Sequence, residues 1–274
     1  MKQRAIGGLI LVMTLVPAAV VIGHPQAELW DRWEPYNAGS TRTVDHSDWD
    51  EFIDRYLISE HPSGVARIDY GDVSSRDHEA LAAYVDDLQE VPVSDLNRDE
   101  QLAFWLNLYN ALTIRVILDH YPVETIRDID ISGAFRNGPW DAHLVEVEDT
   151  PVTLNDIEHR IIRPIWQDPR IHYVVNCASI GCPNLYNEAL TAANIDQAMN
   201  KGAEEFINHP RGATISGNTM TLSSIYDWFQ PDFGGSEEGV IDHLLEYADS
   251  ELARQIRGFD GRINYEYDWS LNEP

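Results

Sequence analysis

The sequence is short of basic groups. It has two lysines, Lys2 and Lys201, and 19 Lys plus Arg against 46 Asp plus Glu. That deficit excludes a nucleic-acid backbone or an anionic membrane surface as the main partner, because both need a basic patch. Cysteine is almost absent, with two residues, so no disulfide framework holds the fold; a chain of 274 residues buries enough core without one. There is no HExxH and no paired Cys/His metal spacing, and GxSxG, Walker A and GxGxxG are also missing. The expectation is therefore no metal and no cofactor. No repeat, low-complexity tract or Gly/Ser linker divides the chain. Beyond residue 27 no apolar stretch approaches the length that spans a bilayer.

What is present begins with acid. The formal net charge is -27, with 26 Asp, 20 Glu and nearly all positive charge on Arg. An acid-rich, lysine-poor exterior suits salty water, where counterions screen self-repulsion. At the N-terminus, residues 1–4 are short and basic through Lys2 and Arg4, and residues 5–23 are apolar and uncharged. Small residues follow at Val21-Ile22-Gly23 or Pro25-Gln26-Ala27. Residues 1–27 have the make-up of a secretory signal peptide, with an uncleaved anchor as the alternative. No Cys follows the run, which excludes lipid attachment there. The expected location is periplasmic or extracellular, with no membrane contact beyond that anchor.

Periodicity sets the rest. Residues 28–45 are polar and predict an extended arm; 46–274 predict a single α+β domain. Helices are expected over 47–59, 75–89, 98–121, 153–163, 192–208 and 237–247, with a shorter one to residue 256. Strands are expected at 65–70, twice within 138–152, at 170–176, in a hairpin over 213–222 turning at Gly217-Asn218, and at 262–267. The strongest element is 98–121. Asn97 followed by Glu100 forms an N-cap and capping-box signal, and Pro122 closes the segment. This helix is apolar nearly all round, so it should be the buried centre, packed on a small, mainly antiparallel sheet with helices around it. Asn107 and Asn110 lie on one face of it. They either tie loops to the helix through buried hydrogen bonds or line a site.

The segment Asp168-Pro-Arg-Ile-His172-Tyr-Val-Val-Asn176-Cys177-Ala-Ser179-Ile-Gly181-Cys182-Pro183 carries most of the chemistry. A predicted strand enters a turn of small residues, with Cys177 at the junction. A thiol becomes a nucleophile when a base or a positive field lowers its pKa. His172, His159 and His143 are the nearest bases in sequence. Strand alternation puts His172 and Cys177 on opposite faces, which favours His159, beside Glu158. Backbone N–H groups around Ser179–Gly181 could form an oxyanion hole. A Cys177–Cys182 disulfide is also compatible with an oxidising compartment.

The leading expectation is a cysteine-dependent hydrolase or acyl-transferase acting on amide or ester bonds. Cys177 is its nucleophile, His159 or His172 its base and Glu158 the group that orients a His. Asn107, Asn110, Asn176 and Ser179 contact the substrate. The alternatives are a non-catalytic domain holding a small-molecule or peptide ligand, and thiol–disulfide chemistry at Cys177 and Cys182, whose spacing is not CxxC.

These residues carry a resemblance. Phe104-Trp-Leu-Asn107-Leu-Tyr-Asn110-Ala-Leu-Thr-Ile114 resembles the signature helix of the domain of unknown function 547 family. So do Ile157-Glu158-His159 with Ile162-Arg163-Pro164, the segment from Asp168 to Pro183, and the closing Tyr267-Asp268-Trp269-Ser270-Leu271-Asn272. The likeness runs over about 99–272. It implies one domain and no known activity. A looser likeness is to papain-like and transglutaminase-like folds, where the nucleophilic Cys opens the central helix and the His sits on a strand. That likeness would make His172 the strand His and leave the usual nucleophile position vacant, since the helix beginning near Asp99 has no Cys.

The charge pattern predicts that the midpoint of thermal unfolding rises as salt goes from the low to the molar range. A midpoint indifferent to salt would show that self-repulsion does not limit this fold.

Overall fold

The computed structural model describes residues 25–133 and 138–274. Nearly all of the expected leader, up to residue 24, therefore lies outside the described residues. Among those described, no helix is long and apolar enough to cross a membrane.

The chain folds as α+β around one buried helix. The first helices are α1 (Ser47–Tyr56), α2 (Ser75–Gln89) and α3 (Arg98–His120). Asn97 caps α3 by accepting the Glu100 N–H at 3.0 Å, as the sequence signal required. Every residue of α3 from Glu100 to Ile114 is buried. Buried polar groups on its first turn find partners in the N-terminal arm and in the turn just before the helix. Glu100 accepts the Val44 N–H at 2.7 Å, and Gln101 donates to the carbonyls of Pro35 and Val93, each at 2.9 Å. The arm is thus docked rather than free. It makes a short turn at Asp31–Trp33 and seats Trp33 edge-on against Trp105, ring centroids 4.9 Å apart.

Strands are few and short. β1 (Leu57–Ile58) pairs with β2 (Arg67–Ile68), and β3 (Val145–Val147) with β4 (Thr150–Val152), both antiparallel. β5 (Ala213–Ser216) and β6 (Thr219–Ser223) form the expected hairpin, and β7 (Arg262–Glu266) joins β6 in parallel. The strands therefore form three small sheets instead of a single platform under α3, and one pair is parallel. After β4 comes a π-helix over Asp156–Ile162 that continues as α4 (Arg163–Trp166). Thr153 and Asp156 cap it reciprocally, with Thr153 Oγ1 accepting the Asp156 N–H at 3.0 Å and Asp156 Oδ2 accepting the Thr153 N–H at 3.1 Å. Pro164 was expected to stop this helix. It does not, because the ladder changes from wide to ordinary turns there, which accommodates a residue without an N–H.

The expected strand at 170–176 is absent. Residues Pro169–Tyr173 form 3-10 turns. Asp168 accepts the Arg170 N–H at 2.9 Å and also holds the Arg170 guanidinium, and Pro169 pre-sets the turn, so local bonding outweighs the β-propensity of Ile171 to Val175. The remaining elements are α5 (Ile195–Ile207), α6 (Ile225–Trp228), α7 (Glu237–Tyr247) and α8 (Ser250–Arg257). Two apolar clusters result. The larger surrounds α3; the smaller joins Tyr173, Phe206, Tyr226, Phe233 and Leu244. The segment from Asp168 to Pro183 crosses from one to the other.

Two buried histidines make the fold acid-sensitive. Burial pulls His46 down to about 4 and, with His172 nearby, His243 to about 4. Unfolded, both titrate near 6.5. Above that pH neither state is protonated and the effect vanishes. As pH falls from about 6.5 to about 4, the unfolded chain takes up protons that the folded chain refuses, so stability drops. Each histidine should cost on the order of 2 kcal/mol across that window. Urea unfolding at pH 7 and pH 4.5 checks this; replacing His46 by Gln should remove part of the loss, and an unchanged loss would refute it.

Candidate functional site

A cleft of about 540 Å³ opens along the seam of the two clusters. Tyr109 and Val175 line it from the side of α3, Ile225 and Phe229 from the other, and Glu158, His159, His172, Cys177 and Cys182 all reach it.

The thiols sit in a tight loop. Their Sγ atoms lie 2.6 Å apart, both as free cysteines. Cys182 is buried and Cys177 is half-buried at the cleft. The Cys177 N–H donates to Cys182 Sγ at 3.0 Å. The Tyr267 hydroxyl lies 3.1 Å from each sulfur and 2.9 Å from Ser179 Oγ. Ser179 Oγ in turn lies 3.3 Å from Cys177 Sγ. Ala178, between the thiols, takes φ 60°, a left-handed conformation that costs an L-residue free energy and must be held in place. Asn176 holds it, accepting the Ala178 N–H at 2.8 Å and donating to the Pro183 carbonyl at 2.8 Å. Gly181 lets the C-terminal segment approach. A Cβ there would lie 2.9 Å from the backbone N and O of Asp268, and this closeness is what brings Tyr267 over the sulfurs.

The sulfurs do not share their environment equally. Burial alone would raise Cys182, but hydrogen bonds from Cys177 and Tyr267 outweigh it and hold Cys182 at about 6. Cys177 is pushed up by its bond to Cys182 and by burial. One proton is thus shared, with the negative charge favoured on Cys182. Behind it stands Arg211. Burial lowers this guanidinium to about 10, and the Cys182 sulfur and the Tyr267 oxygen pull it back. It donates to the Ile180 carbonyl at 3.0 Å and to Asn184 Oδ1 at 2.6 Å, gripping the loop on both sides of Cys182.

The histidines form a separate group. His172 Nε2 lies 2.7 Å from Asp232 Oδ2, and Arg163 Nε donates to the same oxygen at 2.6 Å. Burial would raise Asp232, but His172 and Arg163 hold it at about 2. Phe229 stacks on the His172 ring, centroids 4.4 Å apart. Arg163 Nη1 lies 3.0 Å from His159 Nδ1. A guanidinium can only donate, so Nδ1 accepts, and His159 is neutral with its proton on Nε2. Burial, the largest effect, also lowers His159. Glu158 accepts the Tyr109 hydroxyl at 2.9 Å, and its other oxygen lies 3.8 Å from His159 Nδ1.

Several expectations need correction. The contacts of Cys177 Sγ are Cys182, Ser179 and Tyr267, so neither His159 nor His172 pairs with it. His143 is exposed and outside the cleft. Strand alternation cannot separate His172 from Cys177, because no strand forms there. The oxyanion hole is occupied by structure: the Ile180 and Gly181 N–H groups donate to the carbonyls of Ser270 and Asp268 at 2.9 and 2.8 Å. Asn107 and Asn110 spend their side-chain amides on backbone groups. Asn107 pairs with both the N–H and the C=O of Leu190; Asn110 donates to the Val174 carbonyl and accepts the Asn176 N–H. Asn176 works inside the loop. Sequence reasoning missed Asp232, Arg211 and Tyr267 as site residues. Only Tyr267 carried a signal, through the closing motif. Asp232 meets His172 across sixty residues, and no spacing rule reaches that far. Among the described residues no group of three or more His, Cys, Asp or Glu side chains is arranged to hold a metal ion.

Residues 93–207, less than half of the chain, match the family model described as protein of unknown function, DUF547. The match takes in α3, the π-helix and the thiol loop, and ends before Asp232, Tyr267 and the closing motif. No curated protein and no solved structure matches the chain, so the papain-like and transglutaminase-like comparison gains no support.

Arg211 opposite Cys182 should govern the thiol titration. Replacing Arg211 by Met should move the pH midpoint of alkylation of the reduced protein upward by about one unit. An unchanged midpoint would remove Arg211 from the electrostatics of the pair.

Proposed function

We propose that this protein, which matches the DUF547 family model over residues 93–207, works through its paired thiols, exchanging a Cys177–Cys182 disulfide with thiols of a substrate bound in the cleft. The observation that carries this reading is the 2.6 Å separation of the two sulfurs, which lets one S–S bond form or break with little movement of the loop. In the oxidised form, a substrate thiolate attacks Cys177, the sulfur open to the cleft. The Cys177–Cys182 bond breaks and its electron pair leaves on Cys182. A second substrate thiol loses its proton and attacks the substrate sulfur of the mixed disulfide; Cys177 leaves and is protonated. The substrate loses two electrons and two protons; the protein gains both electrons and one proton, held on Cys177, while Cys182 stays a thiolate and the second proton passes to water. The roles follow the environment: the better leaving group is the sulfur of lower pKa, and as Cys182 departs the Cys177 N–H and the Tyr267 hydroxyl still donate to it, whereas Cys177 Sγ accepts no backbone N–H among the described residues. The oxidising compartment that this chemistry needs agrees with the export expected from residues 1–27.

A second reading has one observation in its favour. The Asp232–His172 pair lines the same cleft, and an oriented imidazole could serve acyl transfer by Cys177 once a substrate draws the two together. Cys182 separates the readings. Replacing Cys182 by Ser should abolish oxidation of a dithiol substrate as completely as replacing Cys177, while leaving Cys177 alkylatable. Thiol-dependent ester or amide hydrolysis that survives Cys182→Ser but not Cys177→Ser or His172→Gln would transfer the assignment to acyl transfer.

A further inference from the structure

We infer that the cleft binds an organic cation, an ammonium or guanidinium group carried on an apolar stem. This rests on the reading of the cleft as the working site, but not on the redox chemistry of its thiols. The first observation is an aromatic wall that adjoins the thiol loop through Tyr267. Trp228, Tyr267 and Trp269 pack with centroids 4.7 to 5.6 Å apart, Trp140 meets Trp269 edge-on at 5.8 Å, and all four line the cleft half-buried. Aromatic faces are negative and attract a cation stripped of water. The protein already uses rings of this cleft so: Arg127 lies 5.2 Å over Trp269 of the wall, and Arg163 4.7 Å over Phe229 elsewhere in the lining. Among the described residues, Trp140, Trp228 and Tyr267 carry no such partner.

The second observation is charge. Glu158 is a buried carboxylate in the cleft wall; the one basic group within 4.0 Å of it among the described residues is His159, which the bond from Arg163 keeps neutral. A buried carboxylate without a cation is costly. Asp227, next to Trp228 in the lining, has no cationic partner among the described residues either. Lining aromatics and two uncompensated carboxylates together define a site that favours a positive ligand and repels a negative one. In that reading a primary amine donates to these carboxylate groups of the lining while its stem lies on the rings.

The test uses binding to the mature chain with Cys177 and Cys182 both replaced by Ser, followed by tryptophan fluorescence. Removing the thiols separates this inference from the thiol reading. Benzylamine, charged at pH 7, is compared with benzyl alcohol and benzoate, which share its ring. Benzylamine should bind at least about tenfold more tightly than the alcohol, and benzoate more weakly than either. Asp227→Asn should erase most of the preference, and Glu158→Gln should do so independently. A second arm compares benzylamine with a pentapeptide, Lys flanked by Ala. Tighter peptide binding assigns the cation to a basic side chain, tighter benzylamine binding to a free amine, and both support a cation site. Equal affinity for amine and alcohol, preference for benzoate, or no binding of any probe would overturn it.

Discussion

Asn110 stands on the buried face of α3 and makes, with a single amide, the two hydrogen bonds that a neighbouring strand would otherwise make. It donates to the Val174 carbonyl at 2.8 Å and accepts the Asn176 N–H at 2.9 Å. Those backbone groups are buried and would each cost about 1–3 kcal/mol if left alone. The segment before the thiols can therefore be irregular and still lie in the core. Asn107, three residues earlier, does the same for Leu190. Through these two amides the central helix fixes both ends of the stretch that holds Cys177 and Cys182, and much of the cleft's geometry follows from that anchoring.

The opposite side of the loop is held by the end of the chain. Asn272 donates its N–H to the Ala178 carbonyl at 3.1 Å, its own carbonyl accepts the Ile68 N–H at 2.9 Å, and its Oδ1 accepts the Tyr70 hydroxyl at 2.8 Å. The thiol loop lies between α3 and this tail. Ala178 keeps its left-handed conformation because every polar group around it is already bonded. The same tail carries Tyr267 and Trp269 into the cleft, so the hydroxyl that shapes the sulfurs and two rings of the aromatic wall arrive on one segment.

Charge is distributed with equal economy. The exterior carries the excess acid, while the buried bases are few and individually employed: Arg163 on Asp232 and His159, Arg211 on the loop around Cys182. A guanidinium suits both posts because its planar fork makes directed bonds to several acceptors at once. Lysine would supply the charge without the geometry, and the chain has almost none.

The sequence by itself determined the local elements. Asn97 with Glu100 started α3, Thr153 with Asp156 capped the π-helix, and Gly217-Asn218 turned the hairpin, because caps and turns are settled by neighbours in the chain. It also determined that α3 is buried. It misjudged residues 170–176, where β-branched residues lost to the Asp168-Pro169-Arg170 turn. It left the duty of Asn107 and Asn110 open, since a buried amide looks the same whether it binds a loop or a ligand. Only the tertiary structure decided which side chains meet. It brought Asp232 to His172, Arg211 and Tyr267 to the sulfurs, and kept both imidazoles off Cys177. Those contacts join residues tens of positions apart. Their energies depend on burial and on direction, and a linear pattern encodes neither.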